Sequence, residues 1–190
     1  MATEEPVFKL VLQAEAFEVR EYPALIAAEV SVGGDRSEAV NSGFRLLAGY
    51  IFGGNTRSQS IAMTAPVIQA PPAGEKIAMT APVTQTGNAD AWVIRFIMPG
   101  SYTLDTLPTP NDPKVQLKAL PPSRVAVVRF SGLAHEADIE QKTAELNDFI
   151  AANHLRPAGP PSLARYNPPW TLWFLRRNEI MIPLLDETAH

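Results

Sequence analysis

The sequence predicts an α+β fold in which two pseudo-symmetric βαββ-type repeats form a distorted antiparallel sheet or barrel with two main helices. Three observations lead there. The 18 prolines among 190 residues, close to twice the usual share of about 5%, are spread along the chain yet leave windows 24–65 and 123–156 free of proline. Proline breaks helix interiors and central strands, so the longest regular elements belong in those windows. Both windows open alike, with an apolar β-prone run, then glycine, then a polar helix start. Sliding one onto the other by 99 residues pairs Pro23 with Pro122, Ala27 with Ala126, Gly33 with Gly132, Val40 with Ile139, Leu47 with Leu146, Tyr50 with Phe149 and Ile51 with Ile150. The later pairs recur at helical spacing, which gives each copy a matching apolar stripe. Self-similarity at a fixed offset is the signature of an internal repeat, here about residues 15–106 and 114–185 of a single domain spanning 1–190.

The elements follow in chain order. Phe17 and Val19 match Val115 and Leu117 as the first strand of each copy. Residues 24–32 form the second strand and 35–51 the first helix. Residues 61–67 and 77–83 both read IAMTAPV and flank Pro71-Pro72-Ala73-Gly74, the pattern of a hairpin with a long connection. Residues 92–98 (WVIRFIM) are a strong strand that ends at Pro99-Gly100, and 107–113 (LPTPNDP) is the link between the halves. In the second half, 124–131 is a strand and His135-Glu136-Ala137-Asp138 opens a helix that His154 closes. Short strands are expected at 163–166, 171–175 and 179–182.

Composition narrows the function. Apolar residues make up 46%, which is globular, and 16 Lys and Arg against 20 Asp and Glu leave a net charge of −4. A nucleic-acid partner is not expected, because phosphate binding needs a basic footprint. Cysteine is absent, which removes disulfides, thiolate catalysis and Cys-ligated metal. No apolar run reaches the roughly 18 residues of a membrane span. The start MATEEPVFK is acidic where a signal peptide is basic, so a soluble cytoplasmic monomer is expected. GxSxG, P-loop, GxGxxG and HExxH patterns are missing, so no enzyme is expected.

Several motifs are more specific: MTAPV at 63–67 and 79–83, FIMPGSY at 96–102, LPTPNDPKV at 107–115, RFSG at 129–132, and RYNPPWTLWFLRRNEIM at 165–181. With these the chain resembles the SOUL family of heme-binding proteins from about Phe17 to Met181. The resemblance implies a gyrase-inhibitor-like fold and noncovalent binding of heme or a related tetrapyrrole, for buffering or trafficking, with no catalytic activity. It also implies a shallow apolar cleft with the first helix as one wall, the loop 167–177 as another, and basic residues near the propionates. Where relatives carry a basic residue late in the first helix, this chain has Gly49.

Heme is a flat apolar disc with two propionates and needs an apolar slot rimmed by cations. On the first helix, Val40, Leu47 and Ile51 form the core stripe and leave Asn41, Phe44, Arg45 and Ala48 at its edge. Phe44 is placed to stack on a porphyrin and Arg45 to meet a propionate; the alternative is that Phe44 widens the core stripe and Arg45 is a solvated charge. In the loop, Trp170, Trp173 and Phe174 beside Arg176 combine disc contacts with charge; the alternative puts Trp173 in the core of a strand. The histidines are His135, His154 and His190, none in the first helix, so binding with an unknown or absent axial ligand is expected. A rival reading is a small-molecule or protein-interaction module of gyrase-inhibitor-like type without physiological heme.

Overall fold

The computed structural model describes residues 4–57, 59–70, 91–167 and 170–185. Its elements run β1 (Lys9–Ala14), β2 (Phe17–Tyr22), β3 (Leu25–Gly33), α1 (Arg36–Ile51), β4 (Val67–Ala70), β5 (Ala91–Ile97), β6 (Gln116–Leu120), β7 (Ser123–Ser131), α2 (Glu136–Ala152), β8 (Ser162–Arg165) and β9 (Arg177–Leu184). Among the described residues the strands form one antiparallel sheet, ordered β1-β2-β7-β9-β8-β4-β5-β3-β6 and curled into a half-barrel. The expected α+β class with two helices is what the chain adopts.

With β1 set aside, the strand order is unchanged when the halves are exchanged, β2 for β6, β3 for β7, β4 for β8 and β5 for β9. The halves meet where β4 pairs with β8, Val67 opposite Arg165 and Gln69 opposite Leu163. This symmetry is one of pairing order; a common origin of the halves is a separate expectation. In the strands the correspondence runs at 98 residues rather than 99. The buried blocks 27–30 and 125–128 coincide at that offset, as do the left-handed glycines Gly34 (φ 109°) and Gly132 (φ 118°). Gly33 is the last residue of β3, so the expected Gly33–Gly132 match is off by one. Leu133 and Ala134 then lengthen the second connection before its helix, which moves the offset away from 98.

Each helix packs on its own half of the sheet. Asp35 caps α1 by accepting the Glu38 N–H at 3.0 Å, which satisfies one of the donors that a helix start leaves open. α1 buries Ala39, Gly43, Leu47, Tyr50 and Ile51 against a cluster with Ala28, Val30, Ile94 and Phe96. α2 buries Ile139, Leu146 and Ile150 against Val19, Ala126, Val128, Ile180 and Ile182. Strand residues alternate between faces, so Arg20, Val127, Ala164 and Glu179 point away from the helices. Among the described residues no helix covers them, yet all four are fully buried. The curl of the sheet encloses them.

Two expected elements differ. A strand at 61–67 begins only at Val67, because Pro66 has no N–H to give to a ladder; its partner at 77–83 lies outside the described residues. The strand expected at 171–175 is instead a 3-10 turn at Trp173–Leu175 with no buried residue. The link 107–113 runs between β5 and β6 as expected, and it is packed: Leu107 is buried in the α1 cluster and the Pro108 carbonyl accepts from the Tyr50 hydroxyl at 2.8 Å.

Candidate functional site

The loop between β8 and β9 presents Trp170, Leu172, Trp173, Phe174 and Leu175 to solvent, with Trp170 84% and Trp173 59% exposed. The Trp173 and Phe174 rings meet edge to face, 5.6 Å apart. A core role for Trp173 is therefore ruled out by its exposure. The loop is held at its root. Arg176 Nε donates to the Thr171 carbonyl at 2.9 Å, the Arg177 N–H donates to Asn167 Oδ1 at 2.6 Å, and Asn178 Nδ2 donates to the Gly132 carbonyl at 2.9 Å. Five large apolar side chains thus stand on a fixed base, as a shelf rather than as part of the core.

Beside that base lies a cleft of about 470 Å³ between the starts of the two helices. Arg36, Val40 and Asn41 line it from α1, Leu133 to Glu136 from the connection into α2, and Gln69 and Arg165 from the middle of the sheet. Its charges are unevenly matched. Arg36 pairs with Glu136 at 2.9 Å and lies over the Trp92 ring at 5.1 Å. Arg165 has an ion-pair or hydrogen-bond partner nowhere among the described residues, and its Nε is buried. Burial, then repulsion from Arg36 and Arg176, pushes its guanidinium below the ordinary value.

Of the eight residues expected at the site, one lines this cleft, three lie further along α1 and four belong to the loop between β8 and β9. Asn41 lines the cleft. Phe44 is half-buried and packs edge-on against Phe96, 5.4 Å between ring centres. Arg45 is exposed and Ala48 half-buried, seven residues and about 10 Å of helix beyond Asn41. Trp170, Trp173 and Phe174 belong to the shelf, and Arg176 sits at its root. Sequence reasoning missed Gln69, Arg36 and Arg165. The signal for two of them was present, since Arg165 ends β8 and Gln69 is next to last in β4, both short strands at the point of symmetry, but only strand pairing sets them on adjacent strands.

The residues fit a tetrapyrrole as an apolar disc flanked by cations better than as an iron ligand set. His135 opens α2 and His154 follows its end, in the left-handed region (φ 57°), so a 17-residue helix of roughly 25 Å separates them. Tyr50 is buried, its phenol pushed up to about 12 by that burial and by Tyr102, and its hydroxyl is bound to the Pro108 carbonyl. It is held as a neutral phenol, the wrong form for a tyrosinate ligand.

Beyond the cleft, the enclosed face of the half-barrel holds a charge network. Arg20 donates to Glu18 at 2.6 Å, to the Tyr22 hydroxyl at 3.1 Å and twice to Glu179 at 2.8 and 2.9 Å. Tyr166 donates to Glu179 at 2.6 Å. Burial alone would raise the Glu179 carboxyl, but Arg20, Tyr166 and Arg177 hold it below its ordinary value. Glu29 is lowered in the same way, against its burial, by Lys118 and Arg95. Both carboxylates stay ionised and engaged, which suits a scaffold rather than proton transfer.

Comparison with known proteins agrees with this architecture. Heme-binding protein 1 of Xenopus laevis is 29% identical over 183 residues, covering 90% of each chain. The crystal structure of the EcmrR C-terminal domain superposes with a TM-score of 0.64 at 11% identity, covering 95% of this chain and 99% of that one. A structure from Listeria innocua titled a hydrolase superposes at 0.58 with 14% identity, covering 89% and 91%. At such identities these two structures speak for the fold alone. The profile of the SOUL heme-binding protein family matches residues 3–183, nearly the whole chain, and on that match the protein belongs to the SOUL heme-binding family.

Proposed function

We propose that the protein binds heme or a related tetrapyrrole noncovalently, without an enzymatic step of its own, and serves to buffer or carry it. The observation that carries the reading is the exposed shelf from Trp170 to Leu175. Large aromatic and aliphatic side chains rarely stand in a row in water unless a partner covers them. A porphyrin face supplies that cover, and Arg176 at the shelf's root supplies charge for a propionate. Phe44, Arg45 and Ala48 on α1 are the proposed opposite wall. Family membership and the likeness to heme-binding protein 1 support the choice of ligand. Heme, when bound, brings its own iron chemistry; the chain's part is to hold the disc and shield its faces.

The cleft gives little support to a hydrolase reading. A catalytic carboxylate there should be buried to perturb its proton affinity, whereas Asp35 and Glu136 are both exposed. Hemin added to the apoprotein should shift the Soret band saturably at one equivalent. A shift that grows without saturating, or stoichiometric tight binding of a non-porphyrin ligand instead, would overturn the proposal.

A further inference from the structure

The cleft between the helix starts has features that a tetrapyrrole shelf does not require. Gln69 is only 4% exposed, yet both its amide nitrogen and its amide oxygen lack a partner among the described residues. Buried polar atoms are nearly always hydrogen-bonded, because each one left open forfeits its hydration with nothing in exchange. The buried Nε atoms of Arg165 and Arg36 lack partners too. These four unsatisfied atoms all belong to residues lining the same cleft, and both helices begin there, so their unpaired N–H groups add positive potential. A fold does not collect such costs in one place without return. The return is a ligand with acceptor oxygens.

We infer that this cleft binds the carboxylate of a small organic acid, seated on Arg165 and Gln69 at the floor, with Arg36 beside it. Charge selects the head group. Glu136 already neutralises Arg36, whereas the Arg165 guanidinium on the floor has no carboxylate partner among the described residues. Asp35, the other carboxylate of the lining, is engaged as the cap of α1, so the floor offers one guanidinium without a carboxylate beside it next to a neutral amide, a match for a monoanion rather than a dianionic phosphate. Shape selects the rest. A volume of about 470 Å³ falls in the range of small-molecule sites and far exceeds a bare carboxylate, and Val40, Leu133 and Ala134 provide apolar wall for a hydrocarbon body. The site lies beside the shelf's base and uses side chains that the tetrapyrrole reading does not.

The test uses benzoate and octanoate as probes, with neutral benzamide as control, on the intact apoprotein followed by ¹H–¹⁵N NMR. Benzoate should produce saturable shifts at the Gln69 side-chain amide, the Arg165 Nε–H and the first-turn amides of both helices, and benzamide should not. Arg165→Gln and Gln69→Leu should each weaken benzoate at least tenfold while leaving the melting temperature unchanged or higher, because each removes an unsatisfied buried group. Two variants guard against one failing to fold. Displacement of benzoate by hemin would assign the carboxylate to a propionate of the porphyrin; joint binding would assign it to a separate acid. Equal responses to benzoate and benzamide, no saturable shift, or full affinity in Arg165→Gln would overturn the inference.

Discussion

Arg20 and Glu179 form a doubly bonded ion pair, 2.8 and 2.9 Å, with no solvent exposure of either side chain. The pair links β2 to β9 across the intervening β7 and lies on the face that no helix covers. It therefore helps decide how the sheet curls. Removing Arg20 takes the doubly bonded partner from the buried Glu179 and leaves it to Arg177, Arg129 and Tyr166, so Arg20→Met should cost up to about 3–5 kcal/mol in urea unfolding. The double change Arg20→Met with Glu179→Leu should cost less than Arg20→Met alone, because it leaves no orphaned charge.

The same pairing makes the protein sensitive to acid. The carboxyls of Glu179 and Glu29 are lowered in the folded state from an ordinary value of 4.5. A lowered carboxyl contributes stability that is complete above the unfolded value and is lost as pH falls through the folded one. Unfolding free energy should therefore hold between pH 7 and 5 and fall below about 4.5. Glu179→Gln should flatten that decline, as urea titrations at pH 7, 5, 4 and 3 would show.

Two glycines of α1 should respond in opposite directions to alanine. A Cβ at Gly43 would lie 2.6 Å from Ile94 Cγ1 and 3.0 Å from Ile94 Cβ, whereas one at Gly49 meets nothing within 4 Å. Gly49→Ala should stabilise by up to about 1 kcal/mol through helix propensity. Gly43→Ala has the same propensity gain, but overpacking costs roughly 1–3 kcal/mol, so it should destabilise. Thermal melts of the pair would show the two shifts with opposite sign.

The shelf should be separable from the core. Trp173→Ala with Phe174→Ala removes exposed side chains that belong to no core cluster, so the melting temperature should stay within a degree or two, as for surface changes near ±0.5 kcal/mol. Hemin affinity, read from the Soret titration, should fall at least tenfold. A large stability loss would instead mean that the two rings support the fold.

The sequence was most legible where local physics is strong. Proline-free windows located both helices because proline is excluded from helix interiors, and α1 lies within the expected 35–51. The strand at Ala91–Ile97 was evident from its apolar run. The short loop between β8 and β9 was less so: TLWFL reads as a strand by composition, but its backbone finds no neighbouring strand to pair with and turns instead. β1 was not foreseen. All its residues are exposed, so it carries no burial pattern, and its ladder comes entirely from pairing with β2.

The sequence by itself determined the class, the two helix positions, the family likeness and the aromatic loop, because each is written in residues close together along the chain. Only the tertiary structure decided the rest. It set the strand offset at 98, since pairing register obeys neighbouring strands rather than the best letter match. It placed Trp173 in water, and it brought Gln69 and Arg165, 96 residues apart, onto adjacent strands between two helix starts. Which polar groups end up buried without partners depends on what folds over them, and nothing local along the chain encodes that.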